Sequence, residues 1–127
     1  MTVLDVGQGQ CIILSSGNDH YIVDCGGDDP AQTAMTAIRT LRSQGIYQID
    51  GIILTHYDKD HAGAASNVMG FVDVGAVYMP DTDEDSILRQ ELENAEQARL
   101  VRRKVSLPCG KGKIDIFPAP SGGEGNE

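Results

Sequence analysis

Along the first half of the chain, apolar residues come in short runs broken by turn-forming residues. Residues 2–5 make one run, and Gly7-Gln8-Gly9 follows as a turn. Residues 11–14 and 21–25 make two more, with Ser16-Gly17-Asn18-Asp19 between them. Strand, turn and strand at this spacing predict an antiparallel hairpin. Gly26-Gly27-Asp28-Asp29-Pro30 then reads as a loop, and the period changes. Ala34, Ile38 and Leu41 recur at helical spacing with Ala37 beside them, which predicts a helix over 31–44 that Gly45 terminates. Residues 50–54 are a strand in which Ile52, Ile53 and Leu54 do not alternate with polar residues. Such a run suits a strand covered on both faces.

Further on, residues 62–69 form a weak helix of small side chains and 76–79 a strand. The acidic run 81–85 leads into a long expected helix over 86–104, with Leu88, Leu92, Ala95 and Val101 as its apolar stripe. Acid at its start and Arg102-Arg103-Lys104 at its end would both oppose the helix dipole favourably. Residues 113–117 read as a last strand, and 118–127 as a Pro/Gly-rich loop or disordered tail. The order β-β-β-α-β-α-β-α-β predicts a layered α/β (α+β) domain with at least one sheet. No repeat or linker divides it, and its end reads as a connection to more structure.

Composition narrows the classes. The 127 residues suit one domain, and 40% apolar with 23% charged suits a globular one. No stretch reaches the roughly 20 apolar residues of a spanning helix. Nothing near Met1 resembles a signal peptide, so the expectation is a chain that is mature, cytosolic or cut from something larger. The formal charge of -9 opposes general duplex binding, which rests on neutralising phosphates. Two Phe, four Tyr and no Trp are too few for a base-stacking platform. Cys11, Cys25 and Cys109 form no C-x-x-C pair, which argues against a zinc finger. Cys11 and Cys25 lie on consecutive expected strands and can come close, but the sequence does not establish a disulfide.

The candidate chemistry lies in THYDKDHAG, residues 55–63. His56, Asp58, Asp60 and His61 fall within six positions directly after the buried strand. Ligand sites in layered α/β folds favour the C-terminal ends of strands. Imidazole suits zinc, and carboxylate suits zinc and harder ions such as manganese. Asp58 and Asp60 would repel each other unless a cation or hydrogen-bond donors intervened. The plainer alternative is a solvated loop in which Asp60 caps the helix near Ala62.

H-x-D-x-D-H after a buried strand resembles the signature of the metallo-β-lactamase superfamily. LDVGQGQCIIL and YIVDCGG resemble the branch containing the C-terminal domain of the DNA-uptake competence proteins (ComEC). The resemblance runs from residue 2 to about 118. It implies the N-terminal half of an αββα sandwich, residues 1–118, as a mixed sheet with helices on one face and the second half absent. It implies two divalent ions, zinc or manganese, with His56 and Asp58 on one and Asp60 and His61 on the other. Asp60 would also serve catalysis beside the attacking hydroxide, and Asp24 and Thr55 would support the ligand loop from behind. It implies a phosphodiester-cleaving parent concerned with DNA uptake, with single-stranded or duplex DNA as partner. The parent would be a membrane protein with this domain outside the cytoplasm and no membrane contact by this segment. A free-standing phosphodiesterase or other ester hydrolase, cytoplasmic or secreted, is the alternative, and a non-catalytic binding module is another.

The chain departs from that family pattern in three ways. The only other histidine is His20, beside a hairpin turn and read as a surface residue, and no Gly-Asp step follows Phe117. Gln10 also stands where the branch commonly has Asp. With about half the ligands, the chain is expected to hold metal weakly or not at all and to be inactive alone. An uncovered half-sandwich face would favour self-association. Gly7-Gln8-Gly9 is not a dinucleotide fingerprint, because it leads into a strand. Arg99, Arg102, Arg103 and Lys104 are expected at a helix end rather than in a phosphate patch, and 81–85 at a helix start rather than in a metal loop.

Overall fold

The computed structural model describes residues 2–4, 9–57, 59–82 and 87–118, except the side chains of Lys59 and Asp60. Asp5, Gly7, Gln8, Asp58, most of the acidic run and the tail from 119 lie outside the described residues.

The described strands are β1 (Thr2–Val3), β2 (Gln10–Ser16), β3 (Asp19–Gly26), β4 (Gln48–Ile53), β5 (Asp73–Pro80), β6 (Ala98–Val101), β7 (Val105–Cys109) and β8 (Gly112–Ile116). The helices are α1 (Pro30–Ser43), α2 (Lys59–Ala62), α3 (Ala65–Met69) and α4 (Ile87–Glu93). Strands β1 to β6 form one mixed sheet in chain order. β1, β2 and β3 pair antiparallel, and β3, β4, β5 and β6 pair parallel. Each parallel step crosses over through helix, as right-twisted sheets require. β7 and β8 form a separate antiparallel hairpin.

Helix α1 forms where its punctuation predicts. Asp29 accepts a hydrogen bond from the Gln32 backbone N–H at 3.2 Å, and Pro30 sits in the first turn. Gly45, at φ 78°, and Ile46 return backbone hydrogen bonds of 2.9 Å to Arg42 and Leu41, closing the last turn. Ala34, Ala37, Ile38 and Leu41 are buried against the sheet with α3. The opposite sheet face buries Tyr21 and Ile53 against Leu107 of the β7–β8 hairpin. Ile52 therefore faces the helix layer and Ile53 the hairpin, so β4 is covered on both faces within this chain. No described helix is long and apolar enough to cross a membrane.

The expected helix over 86–104 is corrected. It ends at Glu93, and the following residues form β6 and β7. Leu88 and Leu92 are a true helical pair, but Ala98 to Val101 instead complete the parallel sheet beside Val77 to Pro80. Tertiary pairing overrides propensity here. Arg102 and Lys104 consequently end no helix. Arg102 Nε reaches Asp81 at 2.9 Å, and Lys104 Nζ lies 3.8 Å from Asp115. The expected helix over 62–69 divides into α2 and α3.

Tyr21 gives the hairpin face a measurable signature. Its hydroxyl donates to the Pro108 carbonyl at 2.7 Å, and its pKa is pushed up to about 12, first by burial and then by Asp50 and Asp19. An unfolded tyrosine ionises near 10, so between these values the unfolded chain holds fewer protons and stability falls as pH rises. The contribution is intact below about pH 10 and is lost as pH rises through about 12, roughly 2 kcal/mol in all. Urea unfolding across this window should show that slope in the native chain and a much flatter one in Tyr21→Phe.

Candidate functional site

The site is built where β3 and β4 end together. Cys11 pairs with Cys25 and Ile12 with Val23, so the β2–β3 register slips by one residue and leaves Asp24 as the extra residue of a bulge. Asp24 has φ 58°, unlike every other described non-glycine residue. The bulge re-aims its side chain into the molecule, where it has no exposed surface. Its carboxylate accepts hydrogen bonds from the Thr55 backbone N–H at 2.8 Å, the Thr55 hydroxyl at 2.7 Å and the Gln10 side-chain amide at 3.0 Å. Burial leaves its pKa raised above the ordinary carboxylate value, and the Thr55 donors, then His61 and His56, offset only part of that rise. Three donors aimed at one carboxyl group favour its ionised form against that burial.

Thr55 transmits this order to His56. The Thr55 hydroxyl is 2.8 Å from His56 Nδ1. Because its single proton goes to Asp24, Thr55 Oγ1 must accept from Nδ1–H. That assignment places the proton of neutral His56 on Nδ1 and leaves Nε2 a lone-pair donor. The His61 ring lies 4.6 Å from the His56 ring, centroid to centroid, tilted by 46°. His56 is exposed and His61 partly buried.

Two anchors hold the loop between these histidines. Tyr57 is almost fully buried and donates its hydroxyl to the Pro80 carbonyl at the end of β5. The Arg89 guanidinium stacks over its ring at 5.8 Å. Beyond the loop, the Ala64 N–H donates to the Cys25 carbonyl at 2.7 Å. Reading the motif by its polar residues overlooked Tyr57 and gave no role to Gln10. The one apolar ring inside a polar string was the available signal for Tyr57.

The structure thus joins Asp24, Thr55 and His56 in one hydrogen-bonded chain and sets His61 beside it. Asp58 lies outside the described residues, as does the Asp60 side chain, although its backbone belongs to α2. His20 lies at the other end of β3, with its ring Nδ1 2.9 Å from Ser15 Oγ and its backbone N–H donating to Asp50. A mostly apolar cavity of about 470 Å³ opens beside Thr55, lined by Val23, Ile53, Leu54, Pro80 and Phe117 among others. The larger cavity, about 710 Å³, is at the His20 end, away from the motif.

Residues 4–123 match the family described as the Metallo-beta-lactamase superfamily. The chain is 33% identical over 78 residues to Competence protein ComA of Neisseria gonorrhoeae, which is 61% of this chain and 11% of that protein. MEM-A1, a subclass B3 metallo-beta-lactamase isolated from a soil metagenome library, superposes with a TM-score of 0.66 at 17% identity over 93% of this chain and 49% of its own. The metallo-beta-lactamase MIM-1 of Novosphingobium pentaromativorans does so with a TM-score of 0.66 at 18% identity, over 93% of this chain and 50% of its own. A diphosphatase of the PhnP family gives 0.50 at 14% identity, over 88% and 50%. The chain therefore spans about half the length of these solved structures and a small part of the competence protein. Family match, fold and motif position agree: the chain belongs to the metallo-beta-lactamase superfamily.

Proposed function

We propose that this chain supplies the histidine–aspartate half of a metal-dependent hydrolase site, and that the longer protein cleaves phosphodiesters. The observation that carries the reading is the Asp24–Thr55–His56 chain, which frees His56 Nε2 beside the His61 ring. Two neighbouring imidazoles suit zinc and other borderline ions. The fit is partial, since no group of three metal-binding side chains occurs among the described residues. His56 and Asp58 would hold one ion, and Asp60 and His61 the other. A bound divalent pair supplies an activated water and charge neutralisation at phosphorus.

The chain's own residues do the positioning. Asp24 and Thr55 fix the His56 ring, Tyr57 and the Ala64 N–H fix the loop, and Asp60 would serve the activated water. The resemblance of LDVGQGQCIIL and YIVDCGG to the competence branch is what favours a phosphodiester as the substrate class, and a competence protein is among the curated relatives. DNA taken up through a membrane-associated parent is the specific substrate proposed. Self-association through the half-sandwich face would rest on residues other than Ile52 and Ile53, which are already covered within this chain.

The experiment compares hydrolysis of bis(p-nitrophenyl) phosphate, with manganese or zinc, by these 127 residues and by the chain extended to the length of its solved relatives. The extended protein is expected to turn over and the shorter one to be silent. His56→Ala in the extended protein should lower kcat/KM at least about a hundredfold, an interaction loss of roughly 2.7 kcal/mol. Chelator-sensitive turnover by the 127 residues alone, or full activity after His56→Ala, would sink the proposal.

A further inference from the structure

The thiols of Cys11 and Cys25 take no part in the site just described, yet they face each other across the β2–β3 pair with their sulfurs 3.8 Å apart. Neither has exposed surface. Opposed residues of an antiparallel pair have Cα atoms roughly 4.5–5.5 Å apart, inside the range of about 4.4–6.8 Å that disulfides span. Side-chain rotation must then bring the sulfurs to about 2.05 Å. Cys109, half-buried on the β7–β8 hairpin, belongs to the opposite face of the sheet.

We propose that Cys11 and Cys25 form a disulfide site that braces the platform of the histidine motif. The bond forms by exchange with a small-molecule disulfide. One cysteine thiolate attacks that disulfide and releases one thiol. The second cysteine then displaces the other, so two protein thiols lose two electrons and two protons while the oxidant becomes two thiols. In the folded chain the neighbouring Cys11 and burial both hold the Cys25 thiol well above its usual pKa, which keeps thiolate scarce. Exchange therefore proceeds while the strands assemble, before the core closes over the sulfurs. The link would join the strands on either side of the Asp24 bulge, and Cys25 is also the residue whose carbonyl holds the Ala64 N–H.

The test is to refold the reduced chain in a mixture of reduced and oxidised glutathione, block remaining thiols by alkylation, and map the peptides by mass spectrometry. The Cys11 and Cys25 peptides should be linked, with Cys109 alkylated or carrying glutathione. The linked chain should melt roughly 10 °C above the reduced one, a gain that dithiothreitol removes. Cys109→Ser should keep the link and the gain, and Cys25→Ser should lose both. Equal alkylation of all three cysteines after oxidative refolding, or a link through Cys109, overturns the proposal. The peptide map of the unsubstituted chain decides even where Cys25→Ser does not fold.

Discussion

Asp24→Ala is expected to lower the unfolding free energy by about 3 kcal/mol in urea titration. The Thr55 N–H, the Thr55 hydroxyl and the Gln10 amide all lose their acceptor at once. Thr55 is exposed, so water recovers part of the loss, which is why the expected cost stays below a full penalty for each donor. A second contribution comes from the backbone at φ 58°, which alanine tolerates less well than aspartate. Against a typical total of about 5–15 kcal/mol, this is a large share.

Asp24→Asn separates stability from site order. The asparagine keeps an acceptor for the Thr55 N–H, so the cost should fall to about 1 kcal/mol. Its amide must donate, however, and the natural recipient is Thr55 Oγ1. The Thr55 hydroxyl then turns its proton to His56 Nδ1, and the imidazole proton moves to Nε2, the atom proposed to take metal. A well-folded Asp24→Asn chain should therefore bind zinc at least about tenfold more weakly, roughly 1.4 kcal/mol. Unchanged stability in Asp24→Ala would mean that the buried carboxylate does not organise this end of the sheet.

Local periodicity carried much of the architecture. The β2–β3 hairpin, α1 between Pro30 and Gly45, and the doubly covered β4 each follow from signals within one element. Where partners lie far apart in sequence, the signal weakens. Residues 98–107 carry arginine and lysine among their apolar positions and read as a basic helix end. They form strands because β5 and Ile114 on β8 await them. The two-residue turn at Gly110-Lys111, with Gly110 at φ 61°, was the local mark of that second hairpin. The motif placed the candidate ligands after a buried strand, but a one-residue register slip has no local sequence code. The bulge that turns Asp24 inward, and the Gln10 amide that meets it, emerge only once β2 and β3 are paired.

The second large effect concerns metal affinity. His56 and His61 are the two proposed ligands of the motif whose side chains are described, with their rings 4.6 Å apart. With so few ligands, zinc binding by these 127 residues should be weak, and removing either histidine should abolish what affinity exists. His20 serves as the internal control. It sits at the far end of β3 with Ser15 and Asp50 for company. His20→Ala should leave the titration unchanged, whereas His56→Ala and His61→Ala should each flatten it.

The most direct measurement is a zinc titration of the native chain followed by the imidazole resonances of its three histidines in NMR. The predicted result is that His56 and His61 shift together along one binding curve, with the changes at His56 Nε2, while His20 does not move. Coincident shifts of all three histidines, or no response of His56 and His61 at millimolar zinc, would contradict the claim that Asp24 and Thr55 hold half of a metal site ready at the end of β4.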